Sequence, residues 1–375
     1  MTSASDGLLD DDQPLAGTSS RIVEFLLVGG ATLLLFPLAW LARRFIGLDP
    51  AEYAVGFLTF HGAHLINDPH FAATYVLFYK DARRRALGDV FAPIQRLRYW
   101  IAGLFVPISL AVWTVYAISS RSAPALGWML QTMFFLVGWH YAKQGFGVLT
   151  VLSARRGVVF STAERRVFLA HSLACWAYAW ASPSDPGRWL EEKGVVFASL
   201  PHGPALELLT FLSFLASALA LLAVLFLRIR SAGRLPPLAP LLGFLVTLWF
   251  WTIFTSLDPL MVYLIPALHS IQYLYFVALL RRNQAREDEG PPRFGRPAST
   301  QLAFLALSSI ALGWILFHGA PRSLDSLLTP RSSSLSDLGP TPFFAALFAA
   351  INIHHYFMDH VLWRRENPDT RHLRS

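Results

Sequence analysis

The chain has few charged residues and only one cysteine. Only 15% of its 375 residues are charged, against roughly 25% in typical soluble domains, whereas 54% are hydrophobic and the mean hydropathy is +0.44. Cys175 is the single cysteine, which excludes an intramolecular disulfide, a cysteine zinc ribbon and a cysteine-ligated iron–sulfur cluster. No glycine-rich nucleotide loop, heptad run or repeat occurs. Any metal must therefore bind to histidine, carboxylate or amide groups.

The hydrophobic residues fall into blocks of the length that a bilayer requires, since about 20 apolar residues cross a hydrocarbon core of about 30 Å. They predict an all-α fold, a polytopic membrane helix bundle. The ten expected spans are at about residues 22–41, 53–79, 99–118, 125–152, 166–182, 205–227, 237–256, 259–280, 300–318 and 341–363. Residues 1–20 are polar and acidic and are expected to form a disordered N-terminal tail. Residues 21–365 form the single predicted transmembrane domain, and residues 366–375 a cytoplasmic C-terminal tail.

The distribution of basic residues predicts the orientation. The formal charge of +7 could suggest a nucleic-acid partner, but lysine and arginine occur in short runs between apolar blocks. With Arg166 counted in the connection before its span, 23 of them lie in the first tail and alternate connections, and 7 in the others. This bias predicts both termini in the cytoplasm and an integral protein of a cytoplasmic (inner) bacterial membrane. Membrane lipids are the expected partners, and no nucleic acid is expected.

Ionisable groups inside membrane spans are costly and are usually functional, so the histidines of the spans are the first candidates. The second span reads FLTFHGAHLINDPHFAATYVLFYKD, in which His61, His64 and Asp68 share one helix face. Pro69 should kink this helix and turn His70 inward. The structural alternative is a polar helix that is hydrogen-bonded to its neighbours.

The fourth span contains GWHYAKQGFG, which places His140, Lys143 and Gln144 on one face. A charged lysine near the bilayer centre needs a carboxylate, a water cavity or a lowered pKa. We expect Lys143 to pair with Asp68 or Asp359. A purely structural ion pair between helices is the alternative.

The eighth span contains IPALHSIQYLYF, with His269, Gln272 and Tyr273 following the helix-bending Pro266. A hydrogen-bonded packing role for this histidine remains open.

The tenth span ends in AAINIHHYFMDHVLWRR. His355 and Asp359 share a face, His354 points about 100° away, and His360 lies near the cytoplasmic end. The carboxylate either binds a metal or fixes the imidazole tautomer, and a packed aromatic helix end is the alternative. His202, His318 and His372 lie in or beside predicted loops and are set aside, and His171 has no polar companion, which favours a structural role.

Depth predicts which histidines meet. The second, fourth, eighth and tenth spans run in the same direction, so residues can be compared at about 1.5 Å per residue from the cytoplasmic end. One histidine from each span then falls in a layer roughly 12 to 18 Å from that end: His70, His140, His269 and His355. His61 and His64 lie about 8 to 14 Å higher, too far for the same ligand set unless a kink or tilt brings them closer.

The candidate residues divide by chemistry. Imidazole and carboxylate without thiolate suit iron, zinc, manganese or copper, and redox function favours iron, as one ion or two. The candidate metal ligands are His61, His64, His70, His140, His269, His354, His355 and His360. The candidate catalytic residues are Lys143, Asp68, Asp359, Gln144, Gln272 and Tyr273.

Three of these motifs resemble known families. HGAH at 61–64, NDPH at 67–70 and HH at 354–355 resemble the histidine boxes of integral-membrane non-haem iron desaturases and hydroxylases. The second-span motif together with ALHSIQY resembles the bacterial carotenoid-cleaving dioxygenases, whose iron is held by histidines from several membrane helices. The chain lacks the HxxHH boxes of the desaturases and has ten predicted spans where they have about four. The resemblance implies a buried iron site and an apolar substrate.

The sequence thus predicts a membrane-embedded, histidine-ligated metalloenzyme, an iron oxygenase, desaturase or hydroxylase acting on a lipid or isoprenoid. This hydrophobic substrate would arrive sideways from the lipid. The arginine-rich connections 80–98 and 281–296 are a candidate docking surface for a cytoplasmic electron donor, although those arginines also set topology. A transporter of divalent metal or protons is the alternative from another class, and haem between two opposed histidines is a third.

Overall fold

The computed structural model describes residues 18–182, 188–233, 236–253, 258–290, 294–329 and 338–373. These residues are nearly all helical, as predicted. The α-helices are α1 (Thr18–Phe25), α2 (Thr32–Ile46), α3 (Leu48–Ala63), α4 (Asn67–Tyr79), α5 (Ala82–Leu87), α6 (Pro93–Trp100), α7 (Val106–Ser119), α8 (Ala123–Ala154), α9 (Thr162–Ala181), α10 (Pro204–Ala232), α11 (Leu238–Leu248), α12 (Met261–Glu289), α13 (Ala298–Trp314), α14 (Ala320–Leu328) and α15 (Pro342–Leu362). Of the predicted N-terminal tail, residues 1–17 lie outside the described residues, and α1 begins at Thr18.

Short π-helical segments extend or bend several of these helices. They are Leu26–Gly30, Ile101–Phe105, Trp249–Ile253 and Ile315–Gly319, and a 3₁₀ helix covers Pro368–Leu373. Strands β1 (Trp189–Glu192) and β2 (Val195–Ala198) form an antiparallel hairpin that the all-α prediction did not include. Lys193 and Gly194 make its turn with positive φ, and Phe197 packs on α8 against Gly127.

Four of the described helices are long and apolar enough to cross a membrane, which is consistent with a membrane protein. They are Pro93–Ser119, Pro204–Ser231, Met261–Glu289 and Ala298–Leu328, and a bent pair, Arg21–Gly30 with Thr32–Ile46, would make a fifth. Leucines of α10 such as Leu208, Leu212 and Leu219 are exposed, as lipid-facing residues are. The prediction of about ten such spans is therefore wrong.

The shortfall has two physical causes. The predicted span 53–79 is two helices, α3 and α4, and the apolar helix Leu238–Ile253 is short. Helices α8 and α15 are long enough, but they carry the histidines and other polar groups of the interior and do not reach the required apolarity. Polar groups directed inward lower the hydropathy of a helix whatever its outer face contacts.

Pro69 accounts for the break between α3 and α4. Proline has no N–H, and its ring clashes with the carbonyl four residues earlier, so it kinks or breaks a helix interior and is tolerated best in the first turn. Helix α3 accordingly ends at Ala63, and α4 begins at Asn67 with Pro69 in its first turn. The predicted kink is thus a complete break. Asp68 and His70 are buried on α4, whereas His61 on α3 is exposed.

Four helices enclose the centre of the molecule. Helix α15 packs against α4, α7 and α8, and α4 also packs against α12 and α13. Helix α10 packs on α9 at the periphery. The histidine-bearing helices α4, α8, α12 and α15 therefore surround one interior.

Both described chain ends meet at one end of the bundle. Glu24 pairs with Arg156 and accepts a hydrogen bond from Tyr275, while Arg155 donates to the carbonyl of Leu373. The 3₁₀ helix of the C-terminal segment packs against α12. This arrangement agrees with termini on one side; which side that is stays a prediction.

Arg85 generates a test of how this end is held. Its buried guanidinium donates to the carbonyls of Leu77 and Phe78 at the end of α4, and to Asp369 at 2.6 Å. Arg85→Ala leaves these acceptors unpaired, so we expect the free energy of unfolding to fall by about 2 to 4 kcal/mol. Denaturant unfolding in detergent, followed by circular dichroism, measures it. The exposed neighbour Arg83, changed to alanine, is the control, and equal losses in both variants would contradict the prediction.

Candidate metal centre

One histidine from each of the four central helices points to a common position. His70 (α4), His140 (α8), His269 (α12) and His355 (α15) are between 0 and 4% exposed. One nitrogen of each ring lies within 4.8 Å of the corresponding nitrogens of the other three. The Nε2 atoms of His70 and His355 are 3.0 Å apart, and those of His140 and His269 are 3.1 Å apart. The predicted convergence of these four histidines is confirmed.

These distances fit a shared cation. Two nitrogens that bind one metal at about 2.1 Å and at right angles to each other lie about 3.0 Å apart. Without an ion, the same distances require a proton between each pair of nitrogens, because two facing lone pairs repel. The four-histidine group could therefore hold a metal ion, and its nitrogen donors suit several transition metals.

The orientation of His70 is fixed from behind. Its Nδ1 lies 3.2 Å from the carbonyl of Asn67 and 3.2 Å from the Ser270 hydroxyl. Because a carbonyl only accepts, we assign the proton to Nδ1, and the Nε2 lone pair then faces the centre. The Ser270 hydroxyl in turn donates to the carbonyl of Pro266 at 2.7 Å. The hydrogen bond from Nδ1 of His70 to the carbonyl of Asn67 is the contact that a metal-binding histidine usually makes through its second nitrogen.

Asp359 brings a carboxylate to the same group. Its Oδ2 lies 3.4 Å from Nε2 of His355 and 3.8 Å from Nε2 of His140, and among the described residues it has no hydrogen-bond donor. Its Oδ1 accepts a hydrogen bond from the Tyr273 hydroxyl at 2.8 Å, and that hydroxyl is 2.6 Å from the Thr74 hydroxyl. A buried carboxylate oxygen without a donor is costly unless a cation offsets it. Asp359 thus adds a fifth candidate ligand.

The two glutamines lie beside this centre and hold helices together. Gln144 donates to Gln272 at 2.7 Å and to the carbonyl of His269 at 3.3 Å. Gln272 donates to the carbonyl of Val28 at 2.6 Å, where the π-helical segment departs from helical dihedrals. A side-chain donor thereby satisfies a carbonyl at a bend in the main chain. These contacts indicate a positioning role.

Four of the eight predicted ligands are not brought to the four-histidine group: His61, His64, His354 and His360. Both ring nitrogens of His354 are engaged, Nδ1 with the Tyr75 hydroxyl at 3.0 Å and Nε2 with the carbonyl of Ala102 at 2.9 Å. His61 is exposed and contacts the rings of Phe57 and Phe60.

Lys143 lies near other cations. Within the described part of the chain it forms no ion pair with Asp68 or Asp359, because histidines already surround both carboxylates. It lies close enough to Arg364 and His360 for electrostatic interaction, and His360 is hydrogen-bonded to Arg364 at 3.1 Å. Of the options that the sequence left open for Lys143, pairing with Asp68 or Asp359 is therefore not the one found among the described residues.

The sequence reasoning missed three polar residues near these groups. Thr74 lies one helical turn after His70, and Ser270 lies one turn after Pro266. A hydroxyl one turn from a candidate residue lies on the same helix face, so this spacing could have indicated both residues. His318 was set aside because it ends the predicted span 300–318 beside a loop, but the helix continues through it to Leu328, and its Nε2 lies 2.9 Å from Oδ2 of Asp68. His171 is hydrogen-bonded to Ser217 and Trp249, as its expected structural role requires.

Comparison with known proteins identifies no relative. No protein-family model, curated protein or solved structure matches this chain. The functional proposal therefore rests on the geometry of the site.

Metal content tests the four-histidine group. We expect His140→Ala, His269→Ala and His355→Ala each to lower bound transition metal by about one equivalent per chain, because each removes a ligand that no neighbour replaces. Elemental analysis of the full-length protein in detergent measures it. His171→Ala, which removes a buried histidine elsewhere, should leave the metal content unchanged. Equal metal in all variants would count against the centre.

Proposed function

We propose that the protein is an integral-membrane metalloenzyme, an iron-dependent oxygenase, desaturase or hydroxylase that acts on a lipid or isoprenoid. The observation that carries the proposal is the convergence of four buried imidazoles with the free Oδ2 of Asp359, inside an apolar helical protein. Iron is favoured over zinc because an oxygen-dependent reaction at an apolar substrate needs a redox metal, and zinc has no redox chemistry.

The ligand arrangement favours catalysis over a structural role. A structural metal is closed by its protein ligands, whereas a catalytic one keeps a position for substrate. The 3.0 and 3.1 Å nitrogen pairs fit donors that bind one ion, which the four histidines would hold with Asp359 beside them as a further oxygen ligand. Bound iron would supply the oxygen chemistry that breaks unactivated C–H or C=C bonds.

The side chains around the centre have definable roles. The four histidines would bind the ion, and Asp359 would offset its charge. Tyr273 holds Asp359 in place, and its hydroxyl, in contact with that of Thr74, is placed to move a proton to or from the carboxylate. Proton transfer at the centre would thus use the Asp359 carboxylate and the Tyr273 hydroxyl, without a base from outside the protein.

Apolar surroundings favour an apolar substrate. Phe71 lies 4.7 Å, ring centroid to centroid, from His355, and Tyr356 stacks 4.8 Å from His140. Such walls exclude water and match a lipid or isoprenoid chain. Sideways access from the membrane would suit the lipid-facing helices around them.

The reaction type decides whether a donor is needed. A dioxygenase places both oxygen atoms in its products and uses no external reductant, whereas hydroxylation and desaturation each take two further electrons per O₂. A cytoplasmic donor remains part of the proposal only for the latter two. Arg85, in the first arginine-rich connection, is buried and committed to internal contacts, so donor docking would fall to exposed arginines such as Arg83 and Arg84.

Transport is the second candidate function, because polar groups also lie at another level of α4, around Asp68. Lys143 and His360 lie near Arg364, which follows Asp359 along the chain. A divalent cation that left the centre past Asp359 would meet the positive charge of Arg364, which disfavours such a path. The enzyme proposal requires no path through these residues.

Oxygen consumption separates the two functions. The protein in lipid nanodiscs, loaded anaerobically with Fe²⁺ and given lipid and isoprenoid extracts with a chemical reductant, should consume O₂ and yield oxidised or desaturated products by mass spectrometry. His355→Ala should lose at least 100-fold of this rate, and His171→Ala should retain it. Absence of O₂ consumption, together with Zn²⁺ uptake into proteoliposomes that His355→Ala abolishes, would establish transport instead.

Tyr273→Phe tests the role of the hydroxyl that holds Asp359. We expect kcat to fall about 10- to 100-fold with KM and metal content nearly unchanged, because the carboxylate loses its orienting donor while the imidazoles stay in place. Tyr275→Phe, on the same helix but hydrogen-bonded to Glu24, is the control and should keep kcat. A Tyr273→Phe variant with unaltered kcat would contradict this role.

A further inference from the structure

A second group of metal-binding side chains lies outside the four-histidine centre. Nε2 of His318 is 2.9 Å, and Nδ1 of His64 is 3.6 Å, from the same oxygen of Asp68, Oδ2. The Asp68 side chain is 5% exposed, while those of His64 and His318 are 34% and 28% exposed. The two imidazole rings lie 4.3 Å apart, centroid to centroid.

Three breaks in regular α-helix bring these residues together. His64 follows the end of α3, Asp68 lies in the first turn of α4, and His318 lies in the π-helical segment between α13 and α14. Gly313 allows the close approach of α13, since a Cβ there would lie 2.7 to 3.0 Å from atoms of Asp68. π-helical turns occur frequently at functional sites because they redirect a side chain.

A simple ion pair does not account for the second histidine. His318 alone is close enough to hydrogen-bond Oδ2 of Asp68. Nδ1 of His64 is buried, faces the same oxygen and, among the described residues, has no hydrogen-bond partner. A buried nitrogen without a partner is costly, and a cation between the three groups would satisfy it.

The donor set has a recognised chemistry. Two imidazoles and one carboxylate bind divalent transition metals and leave positions for water or another ligand. One ligand atom of each residue lies within 4.8 Å of the other two. We propose that His64, Asp68 and His318 bind a second divalent transition-metal ion, distinct from that of the four-histidine centre.

The two groups share no residue. Asp68 and His70 are two positions apart on α4, so their side chains point to nearly opposite sides of the helix, about 160° apart around its axis. The second site is also half-exposed at its histidines, whereas the four-histidine centre is buried. Ions at the second site should therefore exchange more readily. A bound ion would join the end of α3 and the start of α4 to the bend between α13 and α14.

Co²⁺ titration tests the second site on the full-length protein in detergent after chelation and removal of bound metal. We expect two Co²⁺ per chain by calorimetry and elemental analysis in the parent. His64→Gln, His318→Gln and Asp68→Asn should each bind one, and His318→Gln combined with His355→Gln should bind none. His61→Gln, three residues from His64 and outside both groups, should bind two.

The outcomes separate this proposal from the function proposed above. If His318→Gln and Asp68→Asn bind as much Co²⁺ as the parent, the three residues form only a hydrogen-bonded cluster and the second site is excluded. One Co²⁺ in the parent that His355→Gln abolishes also overturns it. One Co²⁺ that only the His64, Asp68 and His318 variants abolish supports the second site and removes the four-histidine centre instead. A variant that keeps the other site's Co²⁺ is thereby shown to be folded.

Discussion

Four imidazoles must share one buried point, and the interior of this protein is arranged around that requirement. Each ring comes from a different helix, so α4, α8, α12 and α15 cannot shift independently without separating nitrogens that lie 3.0 to 3.1 Å apart. Buried polar groups are tolerated only when they are satisfied. The carbonyl of Asn67 orients His70, and the hydroxyl of Tyr273 orients Asp359. The polar interior thus specifies helix positions that apolar packing alone would leave less defined.

Charge is distributed unevenly around this interior. Asp359 lies against the four histidines, and Asp68 lies among His64 and His318. Lys143 and Arg364 lie beyond Asp359 without a carboxylate from either group. Asp68 and Asp359 are therefore both directed at imidazole nitrogens, an arrangement that favours bound cations at these two positions.

The shared layer of His70, His140, His269 and His355 was predictable, because rise per residue is constant along a helix and the charge bias gave the relative directions. The rise per residue is constant only within a helix, and the wrong predictions concern residues where a helix ends or bends. Helix α3 stops before Pro69, so depth counted along one span could not place His64. The π-helical turn at His318 continues a helix that was predicted to end there, so the sequence did not indicate the contact of His318 with Asp68. The sequence also could not predict which side chains contact each other across helices. Lys143 and His354 each have a helical spacing that suits the site, yet the contacts of neighbouring helices exclude them from the four-histidine group.

The break before Pro69 has a further consequence for α4. At 13 residues this helix is about 20 Å long, too short to cross a hydrocarbon core of about 30 Å. Such a helix leaves N–H groups at its start and C=O groups at its end without partners inside the helix. Asp68 supplies a negative charge in the first turn, and Arg85 supplies a positive one at the last carbonyls. Opposite charges at the two ends stabilise the helix dipole, so the dipole of this half-length helix is balanced by side chains of the protein itself.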